Sequence, residues 1–136
     1  MGIIRQMLRV KGDKREEKLN VLFDSGASRS LIGTDIAKEL STPRELLIQR
    51  DFTTADGHKV SCRYFSDLAV DIEGKKIGIE AFLIDDLLAP LILGALDMEA
   101  YMIKLDFAKK KARSIRIYRP DVSSIIFSPG KPEQAS

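Results

Sequence analysis

Between Leu68 and Leu83 apolar side chains recur at every second position. Leu68, Val70 and Ile72 alternate with Ala69, Asp71 and Glu73, and after Gly74 the order resumes with Ile77, Ile79, Ala81 and Leu83. A period of two gathers these side chains on one face of a strand and scatters them around a helix. Gly74 at the midpoint supplies the turn, so the segment reads as a β-hairpin with one apolar face and one mixed face. That face has to be covered, which commits the chain to a sheet-based core.

Weaker signals of the same kind lie on either side. The polar run Gly12 to Glu17 separates the apolar-rich segments Ile3 to Val10 and Leu19 to Phe23, an opening hairpin. Leu47 to Thr54 and Lys59 to Phe65 flank Ala55-Asp56-Gly57-His58, where Asp-Gly is a strong turn signal, and form a second hairpin with a polar tip. Ile36, Ala37 and Leu40 have helical spacing, and Thr34 is the expected N-cap of a short helix over Asp35 to Leu40. Thr42-Pro43-Arg44-Glu45 has the form of a capping box, but the residues after it turn towards strand character. Pro90 precedes the apolar run Leu91-Ile92-Leu93-Gly94, and Ala95 to Met102 has the composition of a second short helix. Lys104 to Phe107 and Ser114 to Tyr118 are expected as the last strands, around a turn at Ala108 to Ala112.

Composition narrows the functional classes. The chain has 136 residues, 44% of them hydrophobic and 31% charged, enough for one packed core and too apolar for wholesale disorder. Its 22 Lys and Arg against 20 Asp and Glu leave a formal charge of +2, which argues against a dedicated nucleic-acid protein. Cys62 and His58 are the single cysteine and histidine, so neither an internal disulfide nor a zinc set is expected, and no metal or other cofactor. The longest apolar stretch, Leu87 to Leu96, is interrupted by Pro90 and Gly94 and falls short of a membrane span. The opening Met1 to Gln6 has no signal-peptide apolar region, so the expected setting is reducing and cytoplasmic. A single domain is expected over residues 1–119, with a tail over 120–136 rich in Pro, Ser, Gly and Gln, partly flexible and disordered beyond Gly130. Within the tail, Ser123 to Phe127 is a short apolar patch suited to docking on the body or on a second subunit.

The chemistry concentrates in Val21-Leu22-Phe23-Asp24-Ser25-Gly26-Ala27-Ser28-Arg29-Ser30-Leu31-Ile32. An apolar strand runs directly into a carboxylate, a hydroxyl and a glycine. Burying an ionised Asp costs several kcal/mol unless donors surround it, and a loop of small residues provides such donors in its backbone N–H groups.

This segment resembles the active-site loop of the retropepsin-like aspartic proteases, whose pattern is an apolar run, Asp-Thr/Ser-Gly-Ala, polar residues and an apolar pair. A second element of that family, two apolar residues before a Gly and a short helix, is matched by Ile92-Leu93-Gly94 and Ala95 to Met102. The resemblance extends over roughly Leu19 to Ile117 and implies a mostly β, acid-protease fold, a closed or partly closed β-barrel with one or two short helices. It implies an aspartic endopeptidase in which Asp24 is the catalytic carboxylate. Ser25, Gly26 and Ala27 would support its loop, and the hairpin tip Ala55, Asp56, Gly57 and His58 would form a mobile flap over an extended peptide substrate.

The chain has one Asp-Ser-Gly and no internal repeat. The second carboxyl of such a dyad would therefore come from another copy of Asp24, in a two-fold homodimer. The alternative is a non-catalytic module of the same fold that dimerises or binds peptides. The chain departs from the retroviral pattern after Gly94, where Ala95-Leu96-Asp97 replaces Arg-Asn/Asp, so the salt-bridging role of that arginine does not transfer.

Other polar groups read more plainly. His58 and Cys62 are four residues apart on one strand, about 13 Å at a rise of about 3.3 Å per residue, too far for a nucleophilic pair. Asp85, Asp86, Asp97 and Glu99 are expected to be solvated. Lys109, Lys110, Lys111, Arg113, Arg116 and Arg119 read as the solvent face of a C-terminal hairpin rather than a phosphate-binding surface.

Overall fold

The computed structural model describes residues 3–53, 57–109 and 111–114. Strands β1 (Ile3–Lys11) and β2 (Glu16–Asp24) form the opening hairpin, in register from Ile3↔Asp24 to Lys11↔Glu16. After β3 (Leu31–Gly33) and α1 (Thr34–Leu40) come β4 (Arg44–Thr53), β5 (Lys59–Ile72) and β6 (Lys75–Ile84). The chain continues through β7 (Leu91–Leu93), α2 (Ala95–Ala100), β8 (Ile103–Asp106) and β9 (Lys111–Ser114).

The main sheet runs β1-β2-β7-β3-β6-β5-β4, and Val10↔Val70 and Lys11↔Ala69 join β1 to β5. That pairing closes six strands into a barrel, outside which β4 extends from β5. The fold is the mostly β barrel with two short helices that the resemblance implies. Val10, Val21, Phe23, Ile32, Val70, Ile72, Leu91 and Leu93 fill its interior with no exposed surface. Each contributes roughly 1.5–3 kcal/mol relative to exposure.

The β5–β6 hairpin follows its period-two pattern: Leu68, Val70, Ile72, Ile77, Ile79, Ala81 and Leu83 all face inward and are buried. Its turn places Glu73 at φ 54° and Gly74 at φ 79°, the type I′ geometry that matches strand twist, and the Gly74 N–H donates to Asp71 Oδ1 at 2.9 Å. Beyond Ala81 the alternation stops, and Phe82, Leu83 and Ile84 are all buried. The β4–β5 hairpin covers the outer face there. Leu31, Cys62, Phe82 and Ile84 form a second apolar cluster, against which Leu46, Phe52, Val60, Phe65, Leu87 and Ile92 pack.

Local details differ from the sequence expectations. Thr34 is the first residue of α1, not its cap; Gly33 is the N-cap and contributes no side-chain bond. Thr42 to Glu45 caps no helix, because β4 begins at Arg44. β5 runs unbroken for 14 residues and serves both the second and the third hairpin. α2 ends at Ala100, and Met102 adopts φ 54° before β8. The last strand begins at Lys111 rather than Ser114, because Leu105↔Ala112 and Asp106↔Lys111 pair across a tighter turn, and the Ala112 N–H donates to Gln6 Oε1. The expected strand residues 115–118, the tail and its Ser123 to Phe127 patch lie outside the described residues, as do Lys110, Arg116, Arg119 and the tip residues Ala55 and Asp56.

Candidate active site

The barrel's two parallel pairings build the site. β2 pairs with β7 in the register Leu22↔Ile92 and Phe23↔Leu93, so Asp24 and Gly94 leave the sheet side by side. β3 pairs antiparallel with β7 through Leu31↔Ile92 and parallel with β6, which returns the loop 25–30 into the barrel wall. β2 ends at Asp24, whose backbone still pairs with Ile3 of β1, and the chain turns at the following Ser-Gly, so the carboxylate is presented at the barrel's end. Asp24 is half-buried there, with Ser25 and Gly26 exposed.

Backbone N–H groups serve the carboxylate and its turn. Gly26 N–H donates to Asp24 Oδ1 at 2.9 Å, and Ala27 N–H donates to the Asp24 carbonyl at 3.1 Å. The rest of the loop is held by the start of α2. Ala95 N–H donates to the Ala27 carbonyl at 2.7 Å and Leu96 N–H to the Ser28 carbonyl at 3.1 Å. The backbones touch at Gly94: a Cβ there would lie 2.5 Å from both the carbonyl carbon and oxygen of Arg29, closer than real Cβ contacts come. Only glycine permits that approach. Of the residues singled out from sequence, Gly94 meets the Asp24 loop, while Ile92 and Leu93 pair with the strands on either side of it.

Two residues of this clasp carried no such expectation. Ser30, 1% exposed, accepts from Gly94 N–H at 3.0 Å and donates to Asp97 Oδ2 at 2.5 Å. Asp97 is therefore not simply a solvated helix residue. The available signal was local: a hydroxyl beside an apolar strand start and an acid in the first turn of a helix, 67 positions apart and brought together by the pairing of β7 with β2 and β3.

Gly57, at φ 89°, and the exposed His58 lie at the entry to β5 near the hairpin tip. Cys62 lies inside the second cluster, where burial and the nearby Asp51 push its thiol up to about 11. A thiol held protonated is a poor nucleophile, which removes the His58–Cys62 pair on chemical as well as spatial grounds. Among the described residues no group of three His, Cys, Asp or Glu side chains is placed to hold a metal ion. None of the described helices is long and apolar enough to cross a membrane.

A family model described as aspartyl protease matches residues 7–96. No curated protein matches the chain. Among solved structures it is similar to the retroviral protease-like domain of Ddi1 from Leishmania major. That match has 15% identity and a TM-score of 0.55 and covers 86% of this chain and 88% of that one. It is also similar to the EIAV protease in complex with the inhibitor HBY-793, at 21% identity and a TM-score of 0.54, covering 75% of this chain and 92% of that one. The fold is thus that of the retropepsin-like domains, and the chain belongs to the aspartyl protease family.

Proposed function

We propose that the protein is an aspartic endopeptidase that acts as a homodimer, with one Asp24 from each subunit. The observation that carries this reading is the Asp24 carboxylate itself, presented at the end of β2 and held by Gly26 N–H on a loop clasped to Gly94. One carboxyl can take a proton from water or donate one to a carbonyl, but not both at once. Two carboxyls sharing one proton supply both roles.

In this mechanism the ionised Asp24 removes a proton from a water held between the two carboxyls while the protonated Asp24 gives its proton to the peptide carbonyl oxygen. The water oxygen bonds to the carbonyl carbon and a neutral tetrahedral diol forms. Proton transfer to the amide nitrogen then allows the C–N bond to break, releasing an acid and an amine and restoring one shared proton. No covalent enzyme intermediate forms.

The β4–β5 hairpin, whose tip holds Ala55, Asp56, Gly57 and His58, acts as the flap. It pairs with an extended substrate as an added strand and excludes water from the dyad. The second cluster, in which Phe52 and Val60 of the hairpin, with Leu87 and Ile92, pack against Leu31, Cys62, Phe82 and Ile84, supplies apolar walls for substrate side chains. Ser25 and Ala27 shape the loop around the two carboxylates.

The test is subunit mixing. Cleavage per subunit should fall on dilution as dimers dissociate, and excess Asp24→Asn chain should suppress wild-type activity by forming mixed dimers. Activity that is independent of concentration and indifferent to added Asp24→Asn would reject a shared site. A folded dimer that binds peptides without cutting them would instead make the chain a binding module.

A further inference from the structure

Asp97 lies in the first turn of α2, and no described Lys or Arg forms an ion pair with it. Its side chain instead accepts the Ser30 hydroxyl at 2.5 Å. Ser30 is fully enclosed, and its hydroxyl has a single proton. With that proton committed to Asp97, the hydroxyl oxygen turns a lone pair to the Gly94 N–H at 3.0 Å. The Ser30 carbonyl simultaneously accepts from Phe82 N–H at 3.0 Å, so residue 30 is held to α2, to the Gly94 crossing and to β6 at once. It is the downstream anchor of a loop whose upstream end is Asp24.

We propose that Asp97 is a positioning residue for Asp24, acting through the Ser30 hydroxyl. In this chain it takes the loop-fixing task at a place where Ala95 and Leu96 offer no polar side chain. The inference rests on the proteolytic reading for its effect on rate, but its structural content stands apart from that reading. An acceptor is needed at Asp97, whereas a charge is not. With the acceptor gone, the Ser30 hydroxyl is free to rotate, the Gly94 N–H loses a fixed partner, and residues 25–29 gain freedom against α2. A displacement of the carboxyl by even about 1 Å costs on the order of a hundredfold in rate, because the dyad needs two carboxyls and a water in line.

The experiment compares Asp97→Asn, Asp97→Ala and Asp97→Ser in the full chain, by steady-state cleavage and by amide hydrogen exchange resolved at Gly26, Ala27 and Ser28. Asp97→Asn keeps an oxygen for the Ser30 hydroxyl and is expected to retain wild-type kcat and exchange. Asp97→Ala is expected to lower kcat on the order of 10- to 100-fold with little change in KM, and to speed exchange in the loop. Asp97→Ser, which suits a helix start but is too short to reach Ser30, should behave as the alanine variant and serves if that variant does not fold. Wild-type exchange and kcat in the Ala or Ser variant would overturn the proposal. So would an Asn variant as impaired as they are, since charge rather than the hydrogen bond would then be at work. If wild type itself cleaves nothing, the proteolytic reading fails while loop exchange still decides the role of Asp97.

Discussion

Gly94→Ala adds one methyl group at the point where two backbones meet. The new Cβ would stand 2.5 Å from the carbonyl carbon and oxygen of Arg29 and 2.9 Å from its Cα, against ordinary contacts beginning at 3.4 Å. The difference, 3.4 minus 2.5, obliges Arg29 and Gly94 to part by about 0.9 Å. Both are fixed: Arg29 by its neighbours' bonds to Ala95 and Leu96 N–H, Gly94 by Ser30 and the Phe23↔Leu93 register. The strain of such overpacking is about 1–3 kcal/mol. A loop shift near 1 Å at a catalytic group costs on the order of a hundredfold in turnover.

Urea denaturation and peptide cleavage measured on the same preparation separate the two effects. Gly33→Ala is the control, because its Cβ would meet nothing nearer than 3.7 Å and the backbone there, at φ −63°, suits any residue. Its stability should stay within about 1 kcal/mol of wild type, as expected where a methyl group fits. A Gly94→Ala protein with wild-type stability and turnover would refute the argument that this crossing positions Asp24.

Two further predictions concern the frame around the site. Asp13 accepts both the N–H and the hydroxyl of Thr42, at 2.7 and 2.9 Å, and these bonds hold its carboxyl below the ordinary 3.8. The folded chain therefore releases this proton more readily than the unfolded one. The bond's contribution is complete above pH 3.8 and is lost as pH falls through the folded-state value. Denaturation midpoints of wild type and Asp13→Asn should differ by a constant amount at mildly acid to neutral pH and converge below that point; a gap that widens in acid would contradict it. Cys62, pushed up to about 11, should react with a disulfide reagent at pH 8 far more slowly in the folded chain than in urea. A two-unit rise alone makes its thiolate about a hundredfold scarcer; equal rates would show that the hairpin does not bury it.

The first three hairpins were legible in the sequence because a period of two is a local signal and each of their connecting segments carries a glycine, Gly12, Gly57 and Gly74. Asp24 and Gly94 were legible because each belongs to a short run of distinctive composition. The partners each would meet depend on pairings far apart in the chain. β2 and β7 lie parallel, as do β3 and β6, and no local pattern states which strands become neighbours. For that reason the Ser30–Asp97 bond is not visible in the sequence, where Asp97 reads as a solvated acid. Phe82 and Ile84 have the wrong parity for the barrel interior and are buried only because β4 and β5 fold back over them. The cap of α1 lies one residue before the expected Thr34: Thr34 is the better capping residue, but backbone geometry makes Gly33 the cap and Thr34 the first helical residue.

The central claim is that two Asp24 carboxyls cut a peptide bond. Its most direct test is cleavage of a diverse peptide library from roughly pH 3 to 7, where coupled carboxyls titrate, with Asp24→Asn assayed beside wild type and both shown to be folded dimers. The account predicts cuts made by wild type and absent from Asp24→Asn. Cleavage by Asp24→Asn at the wild-type rate, or none by a wild-type dimer, would contradict it.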